Sequence, residues 1–228
     1  MNREIANYYF KPAPFWDNIP DTCYKEFKAN SILIKVEKNG IIYSEGNYPK
    51  GLYILNKGIA RMYLINSIGE EQTVYLLGAG EVFGHRPLVC NDESPVFISA
   101  VEACEIEMID KDVFLNSLKQ SIELNTLILN YFGNEFKVLC NKISFFALKP
   151  VDERIALALL VLNQKFHASG QEPNIVYFSR RIVANFAGTI VETLSRQLRK
   201  MKQAGIIAIK GRKIILLDME ELYKRANI

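Results

Sequence analysis

Between about Ala29 and Ile109, short runs of apolar residues alternate with glycines at Gly40, Gly46, Gly51, Gly58, Gly69, Gly78, Gly80 and Gly84. The runs beginning at Ile32, Gly40, Leu52, Ala60 and Thr73 predict strands, because apolar stretches bounded by glycine suit pleated sheet joined by tight turns. Many short strands so punctuated predict a β-sandwich or roll. The period changes after Asp110. From Lys111 to about Phe146 there is no proline and a single glycine, Gly133. Leu124, Leu127, Ile128, Tyr131, Phe132, Phe136, Leu139 and Ile143 recur at three- and four-residue spacing, which predicts a long helix with an apolar stripe. That stripe exceeds what one small β domain hides, so a second copy of the helix in a symmetric dimer is the expected cover.

Ala147-Leu148-Lys149-Pro150 breaks the pattern, since proline disfavours helix in the residue before it, and predicts a hinge. A helix resumes at Val151 with Ile155, Leu159 and Leu162 on one face and is expected to end near Gly170. Ser179 then caps a short helix, Gly188 breaks it, and a further helix runs to about Gln203, closed by Gly205. Two short strands follow, joined through Lys210-Gly211-Arg212. Helix, glycine turn, helix and a basic-tipped hairpin together predict a winged helix-turn-helix. The expected segments are a β-roll sensor over 1–110, a dimerisation helix and hinge over 111–148, and a DNA-binding domain over 149–228.

Charge sharpens this division. The 228 residues carry a formal net charge of +3, with 49% hydrophobic and 23% charged residues, enough for packed cores and too apolar for a disordered chain. Between Ser179 and Lys213 there are nine basic residues and one acid, so this segment is +8 and the rest of the chain −5. The longest apolar run, Ile155–Leu162, is far short of the roughly 18 residues of a membrane span. Lys11, Pro12, Pro14 and Asp17 interrupt the start of the chain, which argues against a secretory signal. The four scattered cysteines form no C-x-x-C pair, as expected of reduced thiols in a cytoplasmic protein.

The second helix of the motif carries Glu192 and Arg196 four residues apart and therefore on one face. Arginine donates a bidentate pair to guanine O6 and N7, and a carboxylate accepts from cytosine N4, so this pair suits the major groove. Ser179, Arg180, Arg181, Thr193, Arg199, Lys200, Lys210, Arg212 and Lys213 are the candidate phosphate contacts. A competing reading pairs Glu192 with Thr189 in a capping box, which would turn the carboxylate away from DNA.

At this point the sequence resembles the CRP/FNR family of bacterial transcription regulators along nearly its whole length. The resemblance rests on Asn39-Gly40-Ile41-Ile42-Tyr43-Ser44-Glu45-Gly46, on Leu52-Tyr53-Ile54-Leu55-Asn56-Lys57-Gly58, and on Gly80-Glu81-Val82-Phe83-Gly84. It continues through Phe178-Ser179-Arg180, Gly188-Thr189 and Glu192-Thr193-Leu194-Ser195-Arg196. It implies an α+β chain: a cyclic-nucleotide-binding-like jelly roll, a long dimerisation helix and a winged helix-turn-helix. The E-x-x-S-R spacing at Glu192, Ser195 and Arg196 looks like the base-reading set of the FNR branch. It implies a homodimer on a palindromic operator with TTGA-like half-sites, working with RNA polymerase. Val191 departs from this pattern, standing where many members carry arginine.

The effector region departs further. Where cyclic-AMP-binding members carry a glutamate after Phe-Gly, this chain has His85, and Ser94-Pro95 occupies the place of the phosphate-gripping Arg-Ser pair. Proline removes a backbone donor and no guanidinium is present there, so cyclic AMP is not the expected effector. With only Cys23 in the first 80 residues, neither is an oxygen-labile iron–sulfur cluster. The expected effector pocket comprises Phe83, His85, Arg86, Leu88, Phe136, Leu139, Cys140 and Ile143, with no metal. His85 is read either as an axial haem ligand of a gas sensor, as an orienting group for an organic effector together with Arg86, or as a turn residue. A cupin-like enzyme would need clustered histidines, and this sequence has two, His85 and His167, in different segments. A nucleotide-binding module acting without DNA is disfavoured by the missing phosphate arginine and the winged helix.

Overall fold

The computed structural model describes Ile5, Tyr8, residues 14–168 and residues 174–228. Helices α1 (Phe15–Asn18) and α2 (Asp21–Ala29) precede strands β1 (Ser31–Val36), β2 (Ile41–Tyr43), β3 (Gly51–Lys57), β4 (Ala60–Ile65), β5 (Glu71–Leu77) and β6 (Val82–Phe83). Helix α3 (His85–Cys90), strands β7 (Phe97–Ala100) and β8 (Cys104–Asp110), and helices α4 (Lys111–Gln120), α5 (Ile122–Leu148) and α6 (Val151–Ala168) come next. The chain then runs through β9 (Ile175–Val176), α7 (Arg180–Ala187), α8 (Val191–Gln203), β10 (Ile207–Lys210), β11 (Lys213–Leu216) and α9 (Met219–Arg225). The expected end of α6 near Gly170 lies outside the described residues. No helix among the described residues is long and apolar enough to cross a membrane.

Two compact units result. One contains the chain from Pro14 to Leu64 with Leu76–Phe136, and the other combines Ile65–Tyr75 with Lys137–Ile228. The sequence boundaries at 110 and 148 coincide with the ends of β8 and α5, whereas the compact units divide α5 itself.

The first unit holds most of the roll. The roll's strands form two four-stranded sheets, ordered β1-β8-β3-β6 and β2-β7-β4-β5, with Glu71–Tyr75 of β5 counted in the second unit. β3 and β8 pair antiparallel with Leu52 opposite Ile109 and Tyr53 opposite Met108. Five consecutive β3 residues, Gly51 to Leu55, are buried, as a strand covered on both faces requires. Phe15, Phe27, Leu52, Ile54, Leu55, Phe83, Ile106 and Phe114 are wholly buried and form the core. Asp110 ends the β structure by capping α4, its carboxylate accepting from the Asp112 amide at 2.8 Å.

The single helix expected from Lys111 to Phe146 is in fact two. Ser121 is extended, at φ −116°, and its Oγ accepts from the Leu124 amide at 3.1 Å. This serine caps α5 just before the apolar stripe begins at Leu124, with no proline or glycine between Lys111 and Gly133 to mark the break. Helix α3, over His85-Arg86-Pro87-Leu88, is also absent from the sequence reading. Pro87 sits in its first turn, where a missing amide costs nothing.

In the second unit α6 packs against α7, α9 and β9. The apolar run Ile155–Leu162 is buried throughout, which makes it a core helix. The wing has three strands, ordered β10-β11-β9, where two were expected. Lys210 pairs with Lys213 and Ile214 with Val176. Lys149, just after α5, donates through Nζ to the Ala226 carbonyl at 2.7 Å and ties the helix junction to the end of α9.

Candidate nucleic-acid interface

The basic end of the chain is built on α7 and α8. Ser179 caps α7, its Oγ accepting from the Ile182 amide at 3.3 Å. α7 ends at Gly188, which takes the left-handed conformation at φ 61° and donates to the Asn185 carbonyl. A Cβ at Gly188 would lie 2.5 Å from the Phe146 ring and 2.9 Å from Nη1 of Arg154, and that Nη1 donates to the Gly188 carbonyl at 3.0 Å. Both the backbone twist and the close packing therefore require glycine at this turn.

α8 is amphipathic. Leu194, Leu198 and Met201, at four- and three-residue spacing, are buried on one side. Glu192, Ser195, Arg196, Arg199 and Lys200 are exposed and Thr193 is half-buried. The helix starts after Ile190, which is its N-cap without a side-chain hydrogen bond, so the Thr189–Glu192 capping box does not form. Glu192 instead stands in the first turn, where a carboxylate is favoured by the helix dipole. Lys210, Arg212 and Lys213 are exposed at the wing tip, around Gly211 with φ 58°. Arg181 is exposed, whereas Arg180 is half-buried with its Nη1 buried and lacking a hydrogen-bond partner. Burial lowers the Arg180 pKa from the ordinary guanidinium value.

The sequence reading missed the residues facing α7 from the β4–β5 hairpin. Glu71 pairs with Arg181, Nη2 lying 3.5 Å from its carboxylate, and accepts from Nδ2 of Asn185 at 3.3 Å. Gln72 Nε2 donates to the Asn185 carbonyl at 2.5 Å. The hairpin tip and the start of α8 enclose a cleft of about 510 Å³, whose lining includes Glu70, Glu71, Arg181, Asn185, Thr189 and Glu192. No local signal links residues more than 100 positions apart, so these contacts were unreadable from periodicity.

The expected effector residues are only partly gathered. In the roll, Phe83 stacks on Tyr53 with centroids 5.2 Å apart and on Tyr43 at 6.2 Å. Burial pushes the Tyr43 phenol up from its ordinary value. His85 is buried, its Nε2 lies 3.2 Å from Glu135 Oε2, and its ring meets Phe132 edge-on at 5.0 Å. Nε2 thus faces a carboxylate, and Nδ1 is buried without a hydrogen-bond partner. Leu88 is buried, and Arg86 is half-buried and paired with Asp92 at 2.9 Å. Phe136, Leu139, Cys140 and Ile143 are exposed on α5. Glu135 was missed because one acid in an apolar stripe reads as a solvated position.

Comparison with known proteins agrees with this geometry. The family profile for the cyclic nucleotide-binding domain matches residues 33–121, and that for the Crp-like helix-turn-helix domain matches residues 153–225. The fumarate and nitrate reduction regulatory protein of Vibrio cholerae serotype O1 is 26% identical over 195 residues, covering 85% of this chain and 78% of that protein. In fold, the chain is similar to a transcriptional regulator of the crp/fnr family from Eubacterium rectale, with TM-score 0.78 and 22% identity over 95% of this chain and 99% of that one. It is also similar to FixK2 from Bradyrhizobium japonicum, with TM-score 0.76 and 20% identity over 86% and 96% of the two chains. With a roll, a long helix and a basic helix-turn-helix on the page, the chain is a DNA-binding transcription regulator and belongs to the CRP/FNR family.

Proposed function

We propose that two copies of this chain pair along α5 and read a palindromic operator with TTGA-like half-sites. The observation that carries this reading is the exposed face of α8, which presents Glu192, Ser195 and Arg196 while its other face is buried. Arg196 would take guanine O6 and N7, Glu192 a cytosine amine, and Ser195 a neighbouring base edge. Ser179, Arg180, Arg181, Thr193, Arg199, Lys200, Lys210, Arg212 and Lys213 would hold phosphates and set the register.

Pairing is supported by α5. Ile122, Leu129, Phe136 and Ile143 recur every seven residues and are 80%, 68%, 69% and 70% exposed. A heptad of large apolar side chains left in water suits a partner helix of the same kind. Phe136 and Ile143, first assigned to the effector pocket, therefore belong to this seam, with Leu139 and Cys140 beside it. A parallel pair of this kind would set two recognition helices about one DNA turn apart.

A small-molecule effector in the roll, acting near Phe83, His85, Arg86 and Leu88, would control the dimer. Cyclic AMP does not fit that role, because Ser94 donates to the Val96 carbonyl at 2.8 Å and Pro95 has no amide to offer a phosphate. The chain has no catalytic role in this reading; it acts in the cytoplasm, on the chromosome and with RNA polymerase. The test is fluorescence anisotropy on a duplex carrying an inverted TTGAT repeat, titrated with salt. Binding that weakens steeply with salt and prefers this duplex over a scrambled one is expected. Salt-insensitive binding, or no preference, would overturn it.

A further inference from the structure

We propose that the acidic tip of the β4–β5 hairpin is an internal phosphate mimic that occupies the DNA-facing donors of α7 and holds the interface closed to DNA. The inference rests on the reading of this chain as a phosphate-contacting regulator. Arg181 and Asn185 stand four residues apart, one helical turn, so their side chains converge on one point. Both meet the Glu71 carboxylate, Arg181 as an ion pair with Nη2 3.5 Å from Oε1 and Asn185 by donating from Nδ2 to Oε2 at 3.3 Å. Two donors converging on one anionic group from a helix face is the arrangement that grips a backbone phosphate oxygen pair.

The tip is built to stay there. Asn66 Oδ1 accepts from the amides of Ile68 and Glu70, and its Nδ2 donates to Glu70 at 3.1 Å. Gly69 supplies the left-handed turn at φ 81°. Gln72 fastens the hairpin to the backbone of α7 at the Asn185 carbonyl. The cleft beside this contact extends from Glu70 and Glu71 to Thr189 and Glu192, the first turn of the recognition helix. A DNA strand approaching that turn meets two carboxylates where it needs cations. Arg181 is itself 65% exposed, so the pair is weak and reversible, as a latch must be.

Anisotropy on the full chain, with the inverted TTGAT duplex as probe, tests the latch. Glu71→Gln keeps the shape and removes the charge. It should tighten binding by up to about fivefold, the range expected when an exposed ion pair is lost and Arg181 is freed. The slope of log K against log salt should steepen by about one. In an Arg181→Ala background the same substitution should change affinity by less than about twofold, because the two effects act through one pair. A melting midpoint within a few degrees of wild type confirms that Glu71→Gln is folded, and Gln72→Ala, which releases the hairpin without touching a charge, should also tighten binding. Equal or weaker binding by Glu71→Gln and Gln72→Ala while the wild type binds overturns the latch alone. If neither wild type nor variants bind the probe, the operator reading fails with it.

Discussion

The ammonium of Lys142, on α5, donates to the Val74 carbonyl of β5 at 2.9 Å and, with a second bond to the Thr73 carbonyl, is wholly enclosed. The Phe186 ring of α7 lies 3.8 Å from the same nitrogen. One buried cation thus ties three elements of the second unit together. Its partners are carbonyl dipoles and a ring face, none of which repays the full cost of removing a charge from water.

Burial pushes the Lys142 pKa down to about 7 from 10.5. Between those values the unfolded chain binds more protons than the folded one, so this residue makes stability rise with pH across that window. Below about pH 7 both states are protonated and the burial penalty is fully present. Comparing wild type with Lys142→Met isolates the effect. From pH 6 to pH 9.5 the unfolding free energy of wild type should gain about 3 kcal/mol on that of the variant. Urea midpoints at the two pH values measure it, and parallel curves would contradict it.

Gly188 sets the angle between α7 and α8. Gly188→Ala forces a left-handed alanine and drives its Cβ against Phe146 and Arg154. The backbone penalty is about 1–2 kcal/mol, and the overlap with a packed ring adds about 1–3. A loss of roughly 2–5 kcal/mol in chemical denaturation is expected. The control is Gly211→Ala at the wing tip, also at positive φ but with nothing within 4 Å of the added Cβ. It should cost only the backbone share, so equal losses at the two glycines would show that packing at Gly188 contributes nothing.

The order in which these features could be read follows from their range. Ser179, Gly188 and Gly205 mark α7 and α8 in the sequence because caps are chemistry between residues a few positions apart. Strands β1 to β5 of the roll are readable for the same reason, since glycine turns separate their apolar runs; β6 to β8 are not among the predicted runs, and no glycine lies between Gly84 and Gly133 to mark β7 and β8. Ser121 is not readable, because it precedes the stripe that starts at Leu124 and no glycine or proline stands beside it to mark a break. Glu71 on Arg181, Glu135 on His85 and Lys142 on β5 depend on contacts between distant segments. Each of the three partners looks, locally, like an ordinary solvated charge. The exposed polar face of α8 was thus open to sequence reasoning, and these long-range contacts were not.

Arg196 is exposed on α8 with Glu192 one turn before it. Arg196→Ala should weaken binding to the TTGAT repeat by about 1–3 kcal/mol while residual, salt-sensitive binding to scrambled DNA persists. Substituting a wing residue such as Lys213 should weaken both duplexes about equally and lower the salt slope by about one. Anisotropy on the two duplexes separates these outcomes. If Arg196→Ala reduces both affinities alike, the arginine is a phosphate contact and another residue reads the base.

The heptad on α5 makes the last prediction. Leu129 and Phe136 are one heptad apart and both project into water from a single helix. Leu129→Glu with Phe136→Glu would place four carboxylates in the seam of a paired α5, where desolvation and like-charge repulsion both oppose association. On an isolated chain the same changes exchange exposed apolar area for charge, and cost little. Light scattering should therefore show the wild type at twice the 26.0 kDa chain mass and the double variant at that mass, with its circular dichroism unchanged. Operator affinity should fall with it by about a hundredfold or more, because a lone recognition helix loses the effective concentration that a tethered second one supplies. A wild type that runs as a monomer, or a double variant that remains a dimer, would place the contact elsewhere and leave the heptad unexplained.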